Sequence, residues 1–192
     1  MQRPIGLLAL LVLTANVSYP QQNKSQRPSP PASASCKFAD GKIVNTGYSS
    51  PRMKGRTIFG GVVPYGQVWR TGANEATTFA TDADLTIGGQ DVPAGNYTLF
   101  TIPAADKWTL IISKKTGEPG APYPEDEDLL RVNMHTSKTS SPVENFTIRY
   151  DPKDGNCTLR MSWENTQAWV DVAEKKLCWP TTTPLTYQCP DQ

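Results

Sequence analysis

The chain has 192 residues, with 19 basic and 18 acidic side chains, a single histidine and a formal charge of +1. So even a balance lacks the basic footprint that neutralises phosphates, and nucleic acid is excluded as an expected partner. The length is that of one domain with attached tails, able to bury roughly 70% of its unfolded surface without a metal or second subunit.

The first residues read as an export signal. Arg3 is followed by an apolar stretch from Ile5 to Leu13, then Thr14 and Ala15, which are the parts of a secretory leader and too short to span about 30 Å of hydrocarbon. Residues 1–22 are therefore expected to be removed, with cleavage between Ala15 and Gln22, leaving no membrane span and a periplasmic or extracellular protein. Residues 23–35, rich in Gln, Ser, Pro and Ala, read as a disordered linker with little to bury. Order is expected from Cys36.

Export changes the meaning of the four cysteines, because thiols in oxidising compartments usually pair. Three connectivities are possible. The preferred one joins Cys36 to Cys157 and Cys178 to Cys189, the first pair closing a long loop and the second a short one. Zinc is the alternative, but no cysteine or histidine pair has ligand spacing, and no metal is expected.

From Cys36 to residue 173 the pattern has period two. Leu85 to Ile87, Tyr97 to Ile102 and Trp108 to Ile112 read as strands separated by Gly and Pro turns. The segment Lys114 to Asp128 interrupts them as a long loop. Its Glu125 to Asp128 run is more simply a solvated charge cluster than a calcium site. Phe146, Ile148 and Tyr150 then alternate with polar residues, as do Cys157, Leu159, Met161 and Trp163, and Ala168, Val170 and Val172. Such alternation marks strands with one buried and one wet face, and it points Cys157 inward. Asp151 to Asn156 and Glu164 to Thr166 supply the turns. The expected fold is all-β, an antiparallel, jelly-roll-like β-sandwich with long loops, and residues 174–192 are expected to form a tail closed by the Cys178–Cys189 bridge.

The least ordinary stretch is Tyr48 to Thr78, where Arg56, Tyr65, Trp69, Arg70, Asn74 and Glu75 lie among glycines. An arginine beside a tryptophan can stack and fork to a carboxylate, and Gly72 admits close backbone approach. One reading is a polar binding pocket built from those six residues. The other is an internal ion pair, Arg70 with Glu75, that pins a broken strand. The same stretch carries a resemblance. Gly55 to Gly61, Val63 to Gly66, the run Val68-Trp69-Arg70-Thr71-Gly72-Ala73-Asn74-Glu75-Ala76-Thr77 and Val92 to Gly95 resemble the domain of unknown function family numbered 2911, over about Cys36 to Val172. The resemblance implies a bacterial exported protein and assigns it no activity.

Enzyme signatures are thin. His135, in an expected strand from Leu130 to Thr136, has no neighbouring nucleophile, and no HExxH, P-loop or dinucleotide fingerprint occurs, so no cofactor is expected. Trp169 falls on the face opposite Val170 and is the candidate for an exposed aromatic platform of the sort that stacks on sugar rings. The leading expectation is a binding module of the cell envelope, its partner a small molecule, a glycan or an envelope protein. The alternatives are an envelope hydrolase with Glu75 as acid or base beside Arg70, and a structural subunit with no small ligand.

Overall fold

The computed structural model describes residues 23–117 and 123–176, and the backbone of 179–180 and 187–188. Nine strands form one antiparallel sheet: β1 (Pro31–Lys37), β2 (Ile43–Ser49), β3 (Thr77–Thr81), β4 (Leu85–Ile87), β5 (Gln90–Val92), β6 (Gly95–Ile102), β7 (Trp108–Ser113), β8 (Asp128–Lys153) and β9 (Asn156–Glu174). Their order is β1-β2-β3-β6-β7-β8-β9-β4-β5, and a separate two-stranded ladder pairs β10 (Trp179–Pro180) with β11 (Tyr187–Gln188). The all-β, antiparallel expectation holds. A division of these nine strands into two sheets does not appear, since one continuous order links them.

The sheet owes its shape to β8 and β9, neither of which is straight. At about 3.3 Å per residue the ends of β9 would lie about 60 Å apart. Yet the Glu174 amide donates to the Asn156 side chain at 3.1 Å, and Thr158 donates to Asp171 at 2.9 Å. β9 therefore doubles back on itself, and the reversal falls at Glu164, whose φ of 54° is left-handed. β8 wraps this hairpin. Its residues 135–138 pair with 166–169, its residues 147–153 with 156–162, and the register breaks between them as the strand rounds the tip at Val143 and Glu164. The expected turn after Trp163 and the inward sets on both arms are thus present: Phe146, Ile148, Leu159, Met161, Trp163, Ala168, Val170 and Val172 are all buried.

The far edge of β8 curls round to meet β2 and the chain just beyond it. The Ile148 amide donates to the Tyr48 hydroxyl at 3.0 Å, Ser50 donates to the Phe146 carbonyl at 2.7 Å, and the Phe146 amide to the Pro51 carbonyl at 2.9 Å. An open sheet edge is a template for unwanted pairing, and here side chains and loop backbone cover it. Cys36 on β1 and Cys157 on β9 are disulfide-bonded across this seam, 121 residues apart in sequence, as expected from the inward direction of Cys157. Cys178 and Cys189, and residues 1–22, expected to form the leader, lie outside the described residues.

The expected start at Cys36 needs correction. β1 opens at Pro31 and pairs with β2 from Pro31↔Ser49 onward, and Lys24–Gln26 form a short 3-10 turn capped by Asn23. Composition suggested a linker because Pro31 to Ser35 has no large apolar residue. The strand is held instead by its ladder to β2 and by half-buried Ala32 and Ala34 packed on the core.

Candidate functional site

Between β2 and β3 the chain leaves the sheet for residues 50–76. Ile58, Phe59 and Val63 are buried, so this segment is a plug whose apolar side fills the end of the curled sheet. Trp69 is its anchor. Its ring stacks on Trp163 at 6.0 Å, meets Phe146 edge-on at 4.9 Å and lies 6.4 Å from Trp108, while Phe59 approaches Trp108 to 4.8 Å. Each aromatic pair contributes about 0.5–1.5 kcal/mol beyond its buried area. The indole N–H donates to the Gly72 carbonyl at 3.1 Å, and the Trp69 backbone pairs with Thr101. Trp69 is thus partly buried and packs against the core through these rings.

The glycines of the segment serve the same end. A Cβ on Gly61 would sit 2.5 Å from the Thr57 carbonyl oxygen, and one on Gly72 3.0 Å from that of Ser49. The turn after Trp69 is more strained than glycine alone explains. Thr71 is β-branched, fully buried and has φ 56°, a conformation costing about 1–3 kcal/mol. Its hydroxyl meets that of Thr101 at 3.0 Å and its carbonyl accepts from Thr77 at 2.9 Å, which over-determines the geometry.

This turn sets the remaining expected site residues apart from one another. Arg70 is exposed and donates to the Asn74 carbonyl at 2.8 Å. Asn74, left-handed at φ 55°, donates to the Ser29 carbonyl at 2.9 Å. Arg56 caps the Met53 and Arg52 carbonyls at 3.0 and 2.7 Å, and the Tyr65 ring lies over Gly60 on the surface. The internal Arg70–Glu75 ion pair is corrected: Glu75 binds Arg27 at 2.7 Å and Lys24 at 3.2 Å, and accepts from Ser49 at 3.4 Å. Arg27, then its own backbone amide and Lys24, hold the Glu75 carboxyl down at about 2, from an ordinary 4.5. Both cations stand in the stretch read as linker, where two basic residues among Ser, Gln and Pro were the one available signal.

Glu75 borders a concavity. A groove of about 230 Å³ runs over β3 and β6, lined beside Glu75 by Ala76, Thr78, Ala80, Asn96 and Thr116, with Ala80 opposite Asn96 on the face away from buried Phe79. Thr98 fixes the adjoining loop by donating to the Lys115 carbonyl at 2.6 Å. The acidic run further along that loop is tied to Arg131, which meets Glu125 at 2.9 Å and Asp128 at 2.6 Å. Among the described residues no group of three or more His, Cys, Asp or Glu stands close enough to hold a metal ion.

On β9, opposite His135 of β8, Trp169 projects away from buried Ala168 and Val170, as its place in the alternation required. It is half-buried, however, flanked by His135 from β8, stacked at 5.6 Å, and by the Arg160 guanidinium at 4.9 Å from the ring centre. A sugar platform needs a free ring face, and both neighbours compete for it. His135 is thereby placed in a stacking role.

Among the described residues no helix is long and apolar enough to cross a membrane. Neither the curated proteins nor the solved structures include a match to this sequence. Residues 29–172 match the family described as Protein of unknown function (DUF2911), opening two residues before β1 and ending within β9. With about three quarters of its length matched, the chain belongs to this family.

Proposed function

We propose that this chain is an exported, non-catalytic binding module of the cell envelope, which holds a larger partner by a single protruding group seated in the groove beside Glu75. The observation that carries the reading is the coincidence of Glu75 with that groove. Two supports come from magnitude. Pockets for free small molecules run about 300–1,000 Å³, so a groove of about 230 Å³ suits one side chain or one sugar ring of something bigger. A general acid or base works best with a pKa near the operating pH, whereas Glu75 is held at about 2 by Arg27 and Lys24. That favours a fixed anion in a recognition cluster over the hydrolase alternative. The leader sequence and the Cys36–Cys157 bridge both favour an oxidising compartment.

The test uses purified protein from residue 23 onward against three immobilised analytes: peptidoglycan fragments, envelope polysaccharide and envelope proteins. One analyte is expected to bind saturably, and Ala80→Arg, which projects a long side chain from a residue lining the groove, to weaken that binding about tenfold or more, equivalent to about 1.4 kcal/mol. Saturable binding untouched by Ala80→Arg, in a variant of unchanged melting temperature, overturns the proposal. So does the failure of all three analytes to bind.

A further inference from the structure

Where β8 rounds the tip of the β9 hairpin, a second concavity of about 270 Å³ opens on the outer face. It is lined by Thr139, Ser140, Ser141, Thr147, Arg149 and Ser162, with Val143 and Gln167 completing it. The register explains why these residues converge. Thr147 stands opposite Ser162 and Arg149 opposite Arg160, all on the face away from buried Phe146, Ile148 and Met161.

Two arginines directly across a strand pair repel one another. The structure offsets this only in part. A single carboxylate, Asp151, takes both, accepting from Arg149 Nε at 2.7 Å and from Arg160 Nε at 2.6 Å. Burial alone would raise the Asp151 pKa, and the two guanidiniums overcome it and hold the group below its ordinary value. One positive charge is left over. Arg160 is fully engaged, since it also donates to Gln167 at 3.2 Å and covers Trp169. Arg149 is half exposed, and beyond Asp151 no described residue engages its guanidinium. No carboxylate lines the pocket. The hydroxyls of Ser140 and Ser141, and that of Ser162 in a residue only 6% exposed, also have no hydrogen-bond partner among the described residues.

We infer that this pocket binds a carboxylate-bearing sugar unit, with the acid group on Arg149 and ring hydroxyls on Ser140, Ser141 and Ser162. One surplus guanidinium matches a monoanion, and its planar fork suits a carboxylate. Hydroxyls both donate and accept, as a polyol requires, whereas a bare oxyanion asks only for donors. Val143 offers the ring an apolar contact. The inference does not rest on the Glu75 groove, which lies over β3 and β6 rather than at this hairpin.

The test is calorimetric titration with glucuronate- and galacturonate-containing oligosaccharides, their neutral homologues, and sodium sulfate and acetate alone, followed by amide chemical-shift mapping. The acidic oligosaccharides are expected to bind at least about tenfold more tightly than the neutral ones, with shifts centred on Ser140, Ser141 and Ser162. Arg149→Gln is expected to weaken them about ten- to hundredfold, as loss of a charged hydrogen bond does, and Ser162→Val to weaken acidic and neutral forms alike. Equal affinity for neutral homologues, displacement by sulfate or acetate at matching concentration, shifts centred on Glu75, or no binding by any oligosaccharide each overturn it.

Discussion

The plug of residues 50–76 and the outer face of the β8–β9 hairpin invert what their sequences suggest. The plug looks like a site, dense in glycine, arginine and aromatics, and most of that density is spent on itself. Phe59 fills the core and Trp69 packs against it, Arg56 and Arg70 cap nearby carbonyls, and Gly61 and Gly72 let backbone pass backbone. The hairpin reads as routine alternation, yet its outward residues assemble a surplus charge and unengaged hydroxyls. Irregular sequence marks where a chain must turn and pack tightly, while a regular strand displays any chemistry at a fixed spacing at no conformational cost.

The comparison breaks most visibly at its two tryptophans. Trp69→Ala removes a ring that, though also partly buried, meets Phe59, Trp108, Phe146 and Trp163, and is expected to destabilise the fold by about 3 kcal/mol, the low end for a large aromatic lost from a core. Trp169→Ala, removing a half-buried ring from an outer face, is expected to cost no more than about 1.5 kcal/mol, the loss of one stacking and one cation–π contact. Urea denaturation with a common slope measures both. If Trp169→Ala proves the more damaging, the assignment of plug and display face is reversed.

How far each region could be read from sequence follows from the range of the interactions that shape it. Alternation is local, so Leu159, Met161 and Val170 declared their inward direction, and Cys157 with them, while its pairing with Cys36 was a preference among three connectivities that the structure bears out. The reversal at Glu164 was also legible, because turn residues interrupt two alternating runs. Trp69 has no alternating neighbours to say which way it points. Its direction is set by Phe146 and Trp163, more than 70 residues away. The pairing of Glu75 with Arg70 failed because Arg27 reaches Glu75 only once β1 has laid residues 24–30 beside the plug. The hydroxyl pocket was invisible because β8 must first bend round the β9 tip to gather residues 139–149 and 162.

A smaller effect sharpens the boundary where plug and hairpin meet. Tyr48→Phe keeps the ring, which packs edge-on against Phe146 at 5.7 Å, and removes the hydroxyl that the Ile148 amide donates to. A buried N–H left without an acceptor costs about 1–3 kcal/mol. Both global stability and the protection of the Ile148 amide from hydrogen exchange are expected to fall. A stable variant in which Ile148 keeps its protection shows that the seam is closed without Tyr48, by the plug backbone bonds of Pro51 with the Phe146 amide and of the Met53 amide with the Glu144 carbonyl.

The smallest effect concerns the one link between the plug and the N-terminal segment, among the described residues, that depends on charge. Glu75 ionises at about 2 in the fold against an ordinary 4.5, a depressed value, so its contribution is complete above about pH 4.5 and is lost as pH falls towards 2. The carboxylate is 41% exposed, so screening holds that contribution to about 1 kcal/mol or less, too little to unfold the sheet. Local release is the expected consequence. Residues 24–30 are tied to the plug by Glu75 and by two neutral bonds, Asn74 to the Ser29 carbonyl and the Ser50 amide to the Pro30 carbonyl. Hydrogen exchange corrected for intrinsic rates should show residues 24–29 loosening between pH 5 and pH 3 while β2 and β3 stay protected. Glu75→Gln should be loose at both pH values and show no further change. If the variant keeps the same pH-dependent loosening, another carboxylate governs the segment, and the ion pairs at Glu75 contribute nothing to seating β1 beside the groove.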